Sequence, residues 1–143
     1  MPRVNFYLLQ RADEGAREGF ACRLAEKLAR EGHVLQLFTD DEQSARELDR
    51  LLWSFSAESF VPHALAHSSA AADAALLISW HTPLPCPTLL NLSSRALALA
   101  AVPQVQTIAE FVLNEDSAKA EGRQRWQHYK QAGCELQHHE IPA

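Results

Sequence analysis

Lys119, Arg123, Trp126 and Lys130 recur every three or four residues within Glu110–Gly133, a spacing that sets three cations and an indole on one face of a single helix. Their chemistry suits a carboxylate held against an aromatic surface. The cations supply charge-assisted donors, an arginine binds a carboxylate bidentately, and the indole offers a flat apolar wall to whatever precedes the anion. An acidic peptide ending in an apolar residue fits that description. Ala118, Gly122, Tyr129 and Gly133 fall on the adjacent face, where small residues and a tyrosine suit packing on a sheet, so Trp126 is expected at the border between buried and solvated. Spacing alone also describes a solvated amphipathic helix whose charges serve only solubility.

Other chemistry-bearing residue types lack the spacing their chemistry needs. A phosphate loop requires grouped glycines whose N–H groups wrap the anion, with a lysine for charge. The first apolar run is instead followed by Gln10-Arg11-Ala12-Asp13-Glu14-Gly15, with one glycine and two carboxylates, and Gly19, Gly32, Gly122 and Gly133 are scattered. Among seven histidines, His63 and His67 stand four apart and His138 and His139 are adjacent, yet neither pair has an HExxH frame or a nearby cysteine pair. No Ser, Cys or Thr is marked as an activated nucleophile. Cys86 between two prolines reads as a strand-entry residue in a rigid loop rather than a redox centre. No catalytic residue, metal site or cofactor is therefore expected.

The elements that must position these residues alternate in type. Val4–Leu9 is an apolar and aromatic run, followed over about Asp13–Glu31 by Phe20, Leu24 and Leu28 at four-residue intervals, with Gly32 as the stop. Val34–Phe38 predicts a second strand, and Thr39 with Glu42 a capping box for a helix carrying Ala45, Leu48, Leu51 and Leu52. Strand, helix, strand, helix argues for βαβ units and a mainly parallel sheet covered on both sides. Ser54–His67 and the Ser/Ala-rich His67–Asp73 lack a period and read as a surface crossover. Ala75–Trp80 and Thr88–Leu92 predict buried strands joined by a loop stiffened by Pro83, Pro85 and Pro87, and Ser94–Val102 a short helix stopped by Pro103. Thr107–Leu113 predicts a core strand and Asn114 the cap of the terminal helix, while Glu135–Ala143 reads as an edge strand or a tail.

A chain of 143 residues is long enough for one sizeable core, so residues 1–143 are expected to form one domain. With 47% apolar and 22% charged residues the composition is that of an ordinary globular protein. The formal net charge of −5 argues against direct binding along a DNA backbone, which needs a broad cationic surface to displace phosphate counterions. Cys22, Cys86 and Cys134 are widely spaced without a CxxC, which suggests reduced thiols. No run approaches the ~20 apolar residues of a membrane span and no basic-then-apolar leader opens the chain, so a cytoplasmic location is expected.

The segment FVLNEDSAKAEGRQRWQHYKQAG resembles the C-terminal signature of the chi subunit family of bacterial DNA polymerase III holoenzyme, approximately F-V-x-x-E-D-x-x-K-x-x-x-R-x-R-[YW]-x-x-Y-K-x-x-G. Three further segments agree in order. Asn5-Phe6-Tyr7-Leu8-Leu9 is similar to the family's first strand, Leu48-Asp49 through Leu52-Trp53 to its L-D-x-x-L-W helix end, and Ala57 to His63 to its E-S-F-[VI]-P-H turn. The resemblance spans nearly the whole chain. It implies a three-layer α/β/α domain, Rossmann-like without a phosphate-binding loop, acting as a non-catalytic accessory subunit of the clamp-loader complex.

Carried over residue by residue, the resemblance implies a site for the C-terminal tail of single-stranded DNA-binding protein, with Val112 as floor, Lys119 and Arg123 as charged contacts and Trp126 as aromatic wall. Trp126 stands where tyrosine is common, and Gln127 where some members carry a lysine, for which Lys130 on the same face is expected to compensate. The resemblance further implies a psi-subunit interface at Trp53, Phe60, Val61, Pro62 and His63, residues that taken alone describe either a partner site or a cover over the core. A repair helicase is an alternative partner, and any contact with DNA is expected to be indirect. The competing reading is a diverged Rossmann-like nucleotide-binding enzyme, for which a nucleotide-induced rise in thermal stability would be the mark.

Overall fold

A computed structural model of the chain describes residues 2–54, 63–66 and 74–142. In chain order the elements are β1 (Arg3–Leu9), α1 (Glu14–Arg30), β2 (Leu35–Thr39), α2 (Glu42–Ser54), β3 (His63–Leu65), β4 (Leu76–Trp80), β5 (Thr88–Asn91), β6 (Thr107–Val112), α3 (Asp116–Gln131) and β7 (Glu135–Ile141), with a 3-10 turn at Leu99–Ala101 before β6. Among the described residues the strands form one seven-stranded sheet in the order β3-β4-β2-β5-β6-β1-β7. Every pairing in it is parallel.

A parallel sheet covered on both faces buries whole strands, which explains why the central runs are continuously apolar rather than alternating. Leu35, Leu37, Leu76, Ile78, Leu89, Leu90 and Ile108 are fully buried, each stabilising the fold by about 1.5–3 kcal/mol relative to exposure. Strand alternation then divides the core in two. On one face Leu35, Leu37, Ile78 and Phe111 pack with Ala21, Cys22 and Ala25 of α1 and Ala45, Leu48 and Leu52 of α2. On the other, Val4, Phe6, Ile108 and Val112 pack with Tyr129 of α3 and with Leu97, Val102 and Val105 of the β5–β6 connection. The result is the three-layer α/β/α arrangement.

Several boundaries differ from expectation for identifiable reasons. Strand β2 runs to Thr39, so α2 is capped two residues later by Asp41, whose carboxylate accepts from the Ser44 N–H at 2.8 Å. That bond and a second from Ser44 hold the Asp41 carboxyl below its ordinary pKa. Asn114 does not cap α3, because it is tied to the β1–α1 loop. Its N–H bonds Arg11 O at 2.8 Å and its side-chain amide Gln10 O at 3.1 Å. Glu115 caps instead, accepting from Ser117 N at 3.1 Å. The aperiodic stretch after α2 contains edge strand β3, three residues paired to β4 and too short to show a period. The alanine-rich Ser94–Val102 yields only the 3-10 turn, with Pro103 following.

One buried polar side chain fixes the proline-rich loop. Gln36, fully buried on β2, donates to Leu84 O at 2.7 Å and accepts from Leu84 N at 2.9 Å and Ser79 Oγ at 2.6 Å. Each amide atom is thereby satisfied, as burial in a low-dielectric core demands. Cys86 in the same loop is buried, its Sγ 3.4 Å from both Val34 O and Thr88 O. Burial pushes that thiol above its ordinary pKa.

Candidate functional site

Helix α3 begins directly after β6 and ends in Gly133, whose φ of 87° turns the chain back into β7. A left-handed backbone at that position suits glycine and closes the helix in the usual way. The buried face of α3 comprises Gly122, Arg125 and Tyr129. Gly122 lets the helix approach the sheet closely, since a β-carbon there would stand 3.0 Å from Val112 Cγ2.

A buried polar cluster anchors that face. Glu110 of β6 has no exposed surface, and its Oε2 accepts from Tyr129 Oη at 2.6 Å and Asn91 Nδ2 at 2.7 Å. Tyr129 Oη also accepts from Leu97 N at 3.0 Å, and His128 Nε2 lies 3.0 Å from Leu97 O. Arg125, 8% exposed, places its guanidinium 3.7 Å from Glu110 Oε1 and 3.9 Å from Glu121 Oε2. Burial raises the Glu110 carboxyl to about 7, despite the opposing effect of Arg125 and the two donors. Burial and the neighbouring Glu110 likewise push the Tyr129 phenol above its ordinary value.

Beyond the buried face, α3, β1 and β7 enclose a cavity of about 450 Å³. Leu8, Leu9, Val112 and Leu113, at the carboxyl ends of β1 and β6, form an apolar floor. Trp126 forms one wall, packed on Phe6 with ring centroids 5.1 Å apart. Lys119 and Arg123 line the cavity from successive turns of α3 and are exposed. Among the described residues neither has a carboxylate partner, in contrast to Arg125, which Glu110 and Glu121 flank. Two such cations beside an apolar pocket have the chemistry to meet a hydrophobic group that carries a carboxylate.

The structure thus brings Val112, Lys119, Arg123 and Trp126 around one cavity. Lys130 is exposed but does not line it. It lies about one turn past Trp126, beyond the point where the indole closes against Phe6. The site also draws on Gly122, from the sheet-packing face that spacing assigned it, and on residues that helix spacing could not supply: Phe6, Leu8 and Leu9 from β1, Leu113, and His138 from β7. Phe6 and Leu8 share a strand face by simple alternation, a signal present in the first apolar run. His138 gave none, because Glu135–Ala143 fits edge strand and tail alike.

The second expected surface is partly described. Trp53, in the last turn of α2, is 58% exposed, and His63 at the start of β3 packs its ring against the indole at 4.7 Å. His63 Nε2 lies 3.3 Å from Asp49 Oδ1. Phe60, Val61 and Pro62 fall outside the described residues. His138 and His139 do not converge, because alternation sends them to opposite faces. His139 stacks on Tyr7 at 5.2 Å and lies 3.2 Å from Asn5 Oδ1, whereas His138 meets Trp126 at 6.1 Å. No group of three His, Cys, Asp or Glu side chains suited to a metal occurs among the described residues.

Where a doubly wound sheet would hold a nucleotide, at the carboxyl ends of its strands, there is a cleft of about 240 Å³. Its rim carries Glu14, Asp40, Glu115 and Glu121 against Arg17 and Arg125. Arg17 is held by Glu14 at 2.6 Å and donates to Leu92 O at 3.4 Å. An excess of carboxylates at that rim opposes a phosphate. No described helix is long and apolar enough to cross a membrane.

A DNA polymerase III subunit chi of Pseudomonas aeruginosa is 39% identical over 142 residues, covering 99% of each chain. The subunit of the same name from Escherichia coli K12 is 33% identical, covering 95% of this chain and 96% of its own. That of Haemophilus influenzae is 26% identical over 93% of both. Residues 1–137 match the family described as DNA polymerase III chi subunit, HolC. With near-complete coverage and a fold that assembles the signature helix beside the first strand, the chain belongs to the DNA polymerase III chi subunit family.

Proposed function

We propose that this chi-family protein is a non-catalytic adaptor that docks the acidic C-terminal tail of single-stranded DNA-binding protein in the cavity between α3 and β1. The observation that carries this reading is the pairing of exposed Lys119 and Arg123, without a carboxylate partner among the described residues, with a floor of Leu8, Leu9, Val112 and Leu113. A terminal phenylalanine fills the apolar cavity against Trp126, while its carboxylate and the preceding acidic residues meet the two cations. Burying one aromatic side chain contributes roughly 2–3 kcal/mol, and charge-assisted bonds add about 1.5–3 kcal/mol each where solvent is excluded. Less the cost of ordering a flexible tail, the sum corresponds to modest affinity. Modest affinity suffices, because tethering the tail near the subunit raises its effective concentration.

On the same reading the exposed Trp53 end of α2, with the segment that follows it, receives the psi subunit and so joins this protein to the clamp loader. A rigid aromatic anchor loses little entropy on binding and commonly dominates an interface. The assembly then couples the clamp loader to coated lagging-strand DNA in the cytoplasm, with no DNA contact of its own.

Fluorescence-polarisation titration of a labelled acidic peptide ending in Pro-Phe tests the docking site. Saturable binding that weakens as salt rises, and that falls at least tenfold for Arg123→Ala, is the expected result. Failure of the folded wild-type protein to bind at low salt would refute the docking reading and direct attention to a nucleotide screen by thermal shift.

A further inference from the structure

Of the cavity's lining residues that helix α3 does not supply, one is titratable. His138 sits on edge strand β7 in register with Phe6 of β1, is exposed, and meets the Trp126 indole edge-on at 6.1 Å. We infer that His138 is a further contact for the acidic tail and makes docking stronger as pH falls below neutrality. This inference rests on the docking reading proposed above.

Histidine is the side chain whose ordinary titration falls between pH 5 and 8. The carboxylates of an acidic peptide have lost their protons well below that window. Within it, a bound tail changes little while the imidazole gains a positive charge. An imidazolium at the open β7 side faces the anion from the side opposite α3, so the tail is flanked by cations on two elements.

The groups around His138 set the sign. From α3 the cavity receives Lys119 and Arg123, with Lys130 about one turn beyond Trp126. A docked carboxylate offsets the charge of these cations. From β1 it meets Phe6 and Leu8, neither titratable. On β7 itself, alternation places Glu140 on the same strand face, opposite Leu8, while Glu135 faces away beside Arg3 at 3.8 Å. Glu110, two strands away in the same register, is buried against Tyr129 and Asn91. Docking and protonation of His138 therefore favour each other, because the tail adds its negative charge to that of Glu140 on the cavity side of the ring. An exposed charge pair of this kind changes affinity about two- to fivefold.

The test is the same peptide titrated at pH 8.0, 7.0, 6.0 and 5.5 and constant ionic strength, against wild type, His138→Gln, His138→Lys and His139→Gln. Wild type is expected to bind about two- to fivefold more tightly at pH 5.5 than at 8.0, with His139→Gln following it, since that ring lies on the opposite face. His138→Gln should lose the gain in affinity between pH 8.0 and pH 5.5. His138→Lys should bind tightly throughout. Parallel pH profiles for wild type and His138→Gln, with binding still dependent on Arg123, would overturn the inference and leave tail docking intact. Absence of saturable binding by wild type at every pH would instead remove the docking reading on which it stands. Circular dichroism melts confirm that each variant is folded, as expected for an exposed edge-strand position.

Discussion

The buried Glu110 makes the stability of this domain depend on pH in a direction opposite to that of ordinary paired carboxylates. Its carboxyl is raised from 4.5 to about 7 by complete burial. Between those values the folded protein holds a proton that the unfolded chain has released. Stability contributed by this group is thus fully present below the unfolded value and is lost as pH rises through the folded one. Integrated from pH 5 to pH 8, a shift of this size removes roughly 2–3 kcal/mol. With a urea slope near 2 kcal/mol per molar, that is a fall of about 1 M in the unfolding midpoint.

Replacing Glu110 by Gln isolates the effect, because the amide keeps an acceptor for Tyr129 Oη and Asn91 Nδ2 while removing the titration. The assay is urea unfolding of wild type and variant at pH 5.0 and 8.0. Seven histidines and other groups also titrate in this range, so the informative quantity is the double difference, in which their shared contributions cancel. Wild type should lose roughly 2–3 kcal/mol more than Glu110→Gln between pH 5 and pH 8. Equal losses, or a wild type that gains relative to the variant, would refute the reasoning. Either result would mean that Arg125, at 3.7 Å, outweighs desolvation and keeps the carboxylate charged throughout.

Two further outcomes follow from the seam between α3 and the sheet. Gly122→Val should destabilise the domain by about 1–3 kcal/mol in thermal or urea unfolding, because a single β-carbon already reaches 3.0 Å from Val112 Cγ2, and displacing Val112 should also weaken peptide binding. Lys130→Ala should change peptide affinity less than twofold, whereas Lys119→Ala should weaken it about threefold to tenfold, a contrast that titration at low salt resolves.

The layers of the fold were legible because parallel strands buried on both faces leave apolar runs that need no periodicity to be seen. Val4–Leu9, Val34–Phe38, Ala75–Trp80 and Thr88–Leu92 each coincide with an observed strand to within one residue at either end. What sequence missed or left open was short or dual in character. Strand β3 has three residues, and β7 has a polar sequence, Glu135–Ile141, that an exposed edge requires. Caps were displaced where a tertiary bond competed, as with Asn114 held by Gln10 and Arg11. The candidate site divided along the same line. Its helical half lies within one element and follows from spacing, whereas Phe6, Leu8 and His138 join it only through β1–β7 pairing.

Charge type says nothing about role within α3, and the contrast between Arg123 and Arg125 shows why. Two positions rotate a side chain by about 200° around a helix axis. That rotation carries Arg123 to the solvent side, where it has no carboxylate partner among the described residues, and Arg125 to the sheet, beside Glu110 and Glu121. On the docking reading Lys119 and Arg123 meet the incoming anion, while Arg125 and Tyr129 hold the helix to β6 through Glu110. The two tasks share one rigid element. The cavity depends on the depth at which α3 sits over Val112, and that depth is set by Gly122 and by the Tyr129–Glu110 bond of 2.6 Å. A substitution in the buried cluster should consequently alter tail affinity without touching the peptide. Substitutions of Lys119 or Arg123 should alter affinity while leaving the pH profile of stability unchanged, because neither side chain contacts Glu110.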